Sequence, residues 1–230
     1  MPRRHRALFP GIPAHIVQRG NNRLRCFFTD NDRRFYLAQL SEFAQRFQCA
    51  IHAYVLMDNH VHLLATPATH HGISRMMKHL GQNFAQFINR AHHRTGALWE
   101  GRFYSAVVDT GAYLFACYRY VELNPVRARM VRRPDDYPWS SYRTNADGDV
   151  SSIITPHPQY LALGTIDLER RRLYRILFDN PRDDDANNEI RKVTLGGHAF
   201  GTEEFKARLA LLSGRPMAPK KRGPKRCVPK

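Results

Sequence analysis

Two neighbouring segments, CAIHAYVLM (residues 49–57) and HVHLLATP (residues 60–67), each alternate side-chain types with period two, and only the turn-forming pair Asp58-Asn59 separates them. A chain built this way has little choice but to form a β-hairpin there. In the first strand Ile51, Ala53, Val55 and Met57 are set against His52, Tyr54 and Leu56. In the second, His60, His62 and Leu64 point one way while Val61, Leu63 and Ala65 point the other. His60 and His62 therefore stand side by side. Two neutral imidazoles on a rigid strand can hold a divalent metal; they can equally be hydrogen-bonded histidines at the rim of a core, and an H-x-H motif alone does not decide between the two.

The flanking sequence supplies the partners such a hairpin needs. AHIVQRG (residues 14–20) has strand character and ends at a Gly-Asn-Asn turn signal. DNDRRFYLAQLSEFAQRF places Tyr36, Leu40, Phe43 and Phe47 on one helical face, and ISRMMKHLGQNFAQFINRAHHR does the same with Ile73, Met76, Met77, Leu80, Phe84, Phe87 and Ile88. GALWEGRFYSAVVD reads as a loop into a fourth strand. AYLFACYRYVELN reads as a third helix, which Pro125 should end near Asn124. The order β, α, β, β, α, β, α predicts an α+β domain with a ferredoxin-like antiparallel sheet and packed helices over residues 1–145. Beyond YPWSSYR the composition shifts. TNADGDVSS looks like a linker, IDLERRRLYRILF and TEEFKARLALLSG look like two helices, so residues 146–215 form a small helical C-terminal region, and residues 216–230 look like a disordered basic tail.

The 36 Lys and Arg against 20 Asp and Glu leave a net charge of +16, spread through MPRRHR, QRGNNRLR, NPVRARMVRR, LERRRLYR and the tail KKRGPKR. Charge scattered in this way suits a polyanion such as nucleic acid better than a membrane surface, which a single basic amphipathic helix would serve. The longest apolar runs are too short to span a bilayer and MPRRHRALFPG lacks the apolar stretch of a secretory signal, so the expected location is the cytoplasm, with no membrane partner. Cys26, Cys49, Cys117 and Cys227 form no C-x-x-C pair, which argues against a zinc ribbon and leaves reduced thiols as the simple reading.

On the third predicted helix Tyr120 and Asn124 are four residues apart and share a face, while Leu114, Cys117, Tyr118 and Val121 can supply the buried side. Taken alone, Tyr120 would be packing. Beside two strand histidines it acquires a chemical use. Transesterification of a phosphodiester needs an in-line nucleophile, a Lewis acid on the nonbridging oxygens and a leaving hydroxyl. Two imidazoles plus an amide oxygen leave coordination positions open, and such mixed nitrogen and oxygen donors suit Mg²⁺ or Mn²⁺. A neutral phenol needs a metal or a cation nearby to attack well; Arg119 points away as a sequence neighbour, which turns attention to the arginines of VRARMVRR.

MDNHVHLL, LWEGRFYS and YRYVELNPVRARMV, in that order, resemble the single-tyrosine HUH transposases, most closely the REP-associated tyrosine transposases, over roughly residues 10–145 and more weakly through NEIRKV and FKARL. The resemblance implies that His60 and His62 are metal ligands, Asn124 is the third ligand and Tyr120 is the nucleophile. It implies a substrate of single-stranded hairpin DNA, cut through a 5′-phosphotyrosine intermediate with release of a 3′-OH, and a monomer rather than a dimer. It also implies DNA contacts from the end of strand one and the side of helix two, at Arg19, Asn21, Asn22, Arg23 and Arg102. Trp99 could stack on a base or simply join the core. The GMV common after NPVRA is RMV here, a surface change on this reading. Two rival functions remain open: a catalytically silent DNA-binding protein of the same fold, and a metal phosphoesterase that activates water and has no use for the tyrosine.

Overall fold

The computed structural model describes residues 6–179 and 184–219. Among them, five strands form one sheet in the order β2-β3-β1-β4-β5: β1 Ala14–Arg19, β2 Cys49–Met57, β3 His60–Pro67, β4 Tyr104–Val108 and β5 Ala199–Phe200. The first four are antiparallel in the order a ferredoxin-like βαββαβ chain produces. The short β5 pairs parallel to β4 and makes the sheet mixed, an addition the alternation pattern did not announce because two residues carry no period. The hairpin turns at Asp58-Asn59 as expected, and β1 inserts beside β3 with Val17 opposite His62 and Arg19 opposite His60.

The sheet is covered on both faces. On one, helices α1 (Asp30–Arg46) and α2 (Gly72–Ala91) pack together over Ile16, Val61, Leu63 and Ala65. Tyr36, Leu40, Phe43 and Phe47 are all buried there, and α1 starts at a capping box in which Thr29 accepts from the Asp32 backbone and Asp32 accepts from that of Thr29. On the other face lies α3 (Ala112–Glu122), followed after Leu123 by the single turn α4 (Asn124–Arg127). The break falls where Pro125 lacks the N–H that a continuous helix would donate one turn back. α3 therefore stops two residues before Asn124, although Asn124 stays on the Tyr120 side.

One strand departs from its predicted alternation. A bulge between Ile51 and Ala53 leaves His52 opposite no partner, so Ile51 joins the α1/α2 core while Ala53, Val55 and Met57 face α3. His52 is satisfied by the Thr155 carbonyl at 2.7 Å and the Thr66 hydroxyl at 2.8 Å.

The C-terminal part contributes α5 (Tyr142–Ala146), α6 (Pro158–Leu161), α7 (Asp167–Ile176), α8 (Asp184–Gly196) and α9 (Glu203–Ser213). The predicted linker is partly helix: Thr144, Asn145 and Ala146 belong to α5, and Asn145 is buried. α7 and α9 are the two expected helices. α8 was not expected from periodicity, because only Ile190, Val193 and Thr194 of its thirteen residues are buried. It packs against β4, β5 and α3. Residues 216–219 were expected to belong to a disordered tail, yet Met217 is buried against Ala199, Phe205 and Leu209, and its carbonyl accepts from the Ala199 N–H at 2.8 Å. Residues 220–230, the rest of the proposed tail, lie outside the described residues. Cys26, Cys49 and Cys117 are buried free thiols.

Buried on α3, Glu122 is fully enclosed and accepts from Ser141 Oγ (2.6 Å), Asn145 Nδ2 (2.8 Å) and Tyr174 OH (2.7 Å). This single carboxyl ties α3 to α5, α7 and the loop before α5.

Candidate active site

Because β1 and β3 are adjacent, their alternating side chains stack into one patch on the α3 face: His15, Val17 and Arg19 from β1, His60 and His62 from β3. α3 lays Tyr120 across it, α4 adds Asn124, and α8 closes the far side with Arg191, Thr194 and Leu195. Together they line a cavity of about 400 Å³.

Each imidazole has a side-chain hydrogen-bond partner. His60 Nδ1 is 2.6 Å from Asn59 Oδ1, an atom that only accepts, so the Nδ1 proton points there and Nε2 keeps its lone pair. The Asn124 side chain also hydrogen-bonds His60. His62 Nδ1 is 2.8 Å from His15 Nε2, which likewise leaves His62 Nε2 for the cavity. Burial lowers the pKa of His60 to about 4, with Arg19 adding to the effect and Asn124 opposing it; burial also lowers His15 to about 3 and His62 well below the ordinary value. All three are neutral at pH 7, the state in which imidazole ligates a metal.

Tyr120 is 6% exposed, its ring edge-on to His62 (centroids 5.5 Å) and to His15 (5.3 Å). Over its face sits Arg127, with Cζ 4.6 Å from the ring centroid and Nη2 donating to the Tyr120 carbonyl. Burial lowers Arg127 to about 10, still cationic at neutral pH. The VRARMVRR run thus supplies the cation at the tyrosine.

Among the described residues no group of three or more His, Cys, Asp or Glu side chains could hold a metal ion. An ion here would instead have two imidazoles and the Asn124 amide oxygen, which leaves positions open for phosphate and water. The donors fit: each ring has its Nδ1 engaged by a neighbouring side chain, which leaves Nε2 as the nitrogen to ligate.

Of the DNA contacts expected from the sequence, Arg19 and Arg23 line this cavity. Arg19 is also 3.7 Å from Glu100. Asn21 and Asn22 lie on the adjoining 3₁₀ turn, where Asn22 and Arg23 take left-handed φ values of 51° and 59°. Arg102 lines two other cavities and is not part of this one. Trp99 packs against the α1/α2 core, its indole N–H donating to the Gly81 carbonyl at 2.9 Å. Sequence reasoning missed His15, Asn59, Arg191 and Thr194. His15 had a readable signal, since it shares the alternation of Val17 and Arg19, but its place beside His62 depends on strand register.

Gly20 holds the turn against the hairpin. Its N–H donates to the Asn59 carbonyl at 2.8 Å, and a Cβ there would lie 2.3 Å from the Leu24 carbonyl oxygen and 3.3 Å from that of Asn59. Both are backbone atoms, so Gly20→Ala should cost about 1–3 kcal/mol in thermal or urea unfolding. An unchanged midpoint would show the turn to be freely adjustable.

Comparison with known proteins extends these observations. Among solved structures, the fold is similar to that of a REP-associated tyrosine transposase bound to a REP hairpin, at 18% identity and TM-score 0.54, over 68% of this chain and 93% of that one. It is also similar to a protein described as a candidate transposase from Deinococcus radiodurans R1, at 17% identity over 58% of this chain and 96% of that one, but the TM-score of 0.37 is too low to carry an argument. None of the curated proteins matches. The model of the family described as IS200-like transposase matches residues 9–124, half of the chain and the stretch that holds both histidines, Tyr120 and Asn124. The chain therefore belongs to the IS200-like transposase family.

Proposed function

We propose that this protein is a REP-associated-type strand transferase that cuts and rejoins single-stranded DNA beside a hairpin, using Tyr120 as the nucleophile. The observation that carries the reading is the convergence of His60, His62, Tyr120 and Asn124 on one cavity from three elements, β3, α3 and α4. The net charge of +16 and the hairpin DNA bound by the similar structure support the choice of substrate.

His60, His62 and Asn124 would hold Mg²⁺ or Mn²⁺, which when bound polarises the nonbridging phosphate oxygens. Tyr120 Oη attacks phosphorus; the new O–P bond forms as the P–O3′ bond breaks, the phenolic proton is lost, and the leaving oxygen departs as a 3′-OH. Arg127, stacked on the Tyr120 ring, favours phenolate character as the proton leaves. Arg19, Arg23 and Arg191 put cations around the cavity for the flanking phosphates. The 5′-phosphotyrosine link keeps the energy of the cleaved phosphodiester, so a 3′-OH from a second strand reverses the step and completes transfer.

All four residues come from one chain, which supports a monomer as the working unit, and among the described residues no helix is long and apolar enough to cross a membrane. We place the activity in the cytoplasm, with hairpin DNA as the partner.

The test is to incubate the protein with 5′- and 3′-labelled hairpin oligonucleotides and Mg²⁺ or Mn²⁺, then to separate the products under denaturing conditions. A protein-linked 5′-phosphate fragment and a free 3′-OH fragment are expected, and EDTA should remove both. Tight hairpin binding with no adduct would point instead to a silent DNA-binding protein, and cleavage without an adduct to a hydrolase.

A further inference from the structure

Thr194, His15 and His62 form a buried file that runs from α8 through β1 to β3. His15 Nδ1 lies 2.9 Å from Thr194 Oγ1 and His15 Nε2 lies 2.8 Å from His62 Nδ1, with the two ring planes within 5° of parallel. The three residues are 2%, 1% and 4% exposed and bond to one another directly.

A neutral imidazole carries one N–H, so this file can order its protons in only two ways. In the first, Thr194 donates to His15 Nδ1, His15 Nε2–H donates to His62 Nδ1, and the His62 proton sits on Nε2, facing the cavity, where it blocks ligation. In the second, His62 Nδ1–H donates to His15 Nε2 and His15 Nδ1–H donates to Thr194 Oγ1, which presents the His62 Nε2 lone pair to the cavity. The second order requires Thr194 to accept and to place its own proton elsewhere. A helical threonine can do so by donating to the carbonyl one turn earlier.

We propose that His15 is a positioning residue that accepts the hydrogen bond from His62 Nδ1–H and so aims the His62 Nε2 lone pair at the metal, and that Thr194 on α8 locks His15 in this role. The inference rests on the metal-dependent reading above and deepens it. It also makes α8, which lies beyond the family-matched residues 9–124, part of the ligand-setting machinery.

The test uses the full chain without DNA, so that the readout is metal binding rather than activity. Mn²⁺ is titrated in and the free ion is followed by electron paramagnetic resonance. His15→Phe keeps an aromatic ring but no acceptor and should weaken Mn²⁺ by about 10–100-fold. Thr194→Val should weaken it in the same direction, and Thr194→Ser, which keeps the hydroxyl, should retain wild-type affinity. That split is one a purely packing role would not produce. In ¹⁵N spectra of the Mg²⁺-loaded protein, His62 should carry its proton on Nδ1 in the wild type and in the serine variant. Equal Mn²⁺ affinity in the valine and serine variants, unchanged affinity in folded His15→Phe, or a His62 proton on Nε2 with Mg²⁺ present each overturns the relay. A wild type that takes up no Mn²⁺, or takes it up equally well as His62→Ala, overturns the metal reading itself and the relay with it.

Discussion

Tyr120→Phe is expected to lower covalent adduct formation by about 10³-fold or more while the protein stays folded and still binds hairpin DNA. The substitution removes one oxygen and nothing else. The ring contacts with His15 and His62 and the stacked Arg127 survive it, so the cost to stability should be on the order of 1 kcal/mol or less. Loss of the adduct in a folded variant would then assign the loss to chemistry. The measurement is the denaturing gel described above, with circular dichroism and a binding isotherm as controls. Cleavage that persists in the variant would mean that water, not the phenol, attacks phosphorus.

The second large effect concerns the scaffold. Glu122→Ala strips the shared acceptor from Ser141, Asn145 and Tyr174 and opens a hole among α3, α5 and α7, at a cost of about 3–5 kcal/mol. Glu122→Gln keeps the volume and an acceptor, and should cost much less. The same carboxyl predicts a pH dependence. Burial raises its pKa from 4.5 to about 7, against the opposing hydrogen bonds of Ser141, Tyr174 and Asn145. Between those two values the folded protein holds a proton that the unfolded chain has released, so this group's contribution falls as pH rises from 4.5 to 7 and stays low above it. The total is up to about 3 kcal/mol. The buried histidines act with the opposite sign, because depressed pKa values cost stability as pH falls below about 6.5. The decisive quantity is therefore wild type minus Glu122→Gln, measured by urea unfolding at pH 5 and pH 8. A difference that does not move between the two would sink the assignment.

The order of strands and helices was legible because apolar periodicity is a local property. The hairpin, α1, α2 and β4 each announce themselves within a dozen residues, and the split βαβ order then leaves few sheet arrangements. The bulge at His52 was not legible, since an inserted residue looks like continued alternation until its partner strand is known. Around the cavity, His60 and His62 stood out as a spaced pair, and Tyr120 and Asn124 as a helical pair. His15 and Thr194 lie 179 residues apart in the chain and meet only through tertiary packing, which no window on the sequence spans. α8 escaped notice for a related reason: a mostly exposed helix with a narrow apolar stripe gives almost no periodic signal, yet it brings Arg191, Thr194 and Leu195 to the cavity.

Synthesis proceeds from the N-terminus, so β1, β3 and α3 leave the ribosome well before the helix that bears Arg191 and Thr194. A nascent chain can gather its histidines and tyrosine early, but it lacks the wall that encloses them until that later segment docks. The enclosed cavity is therefore among the last features of the molecule to be completed.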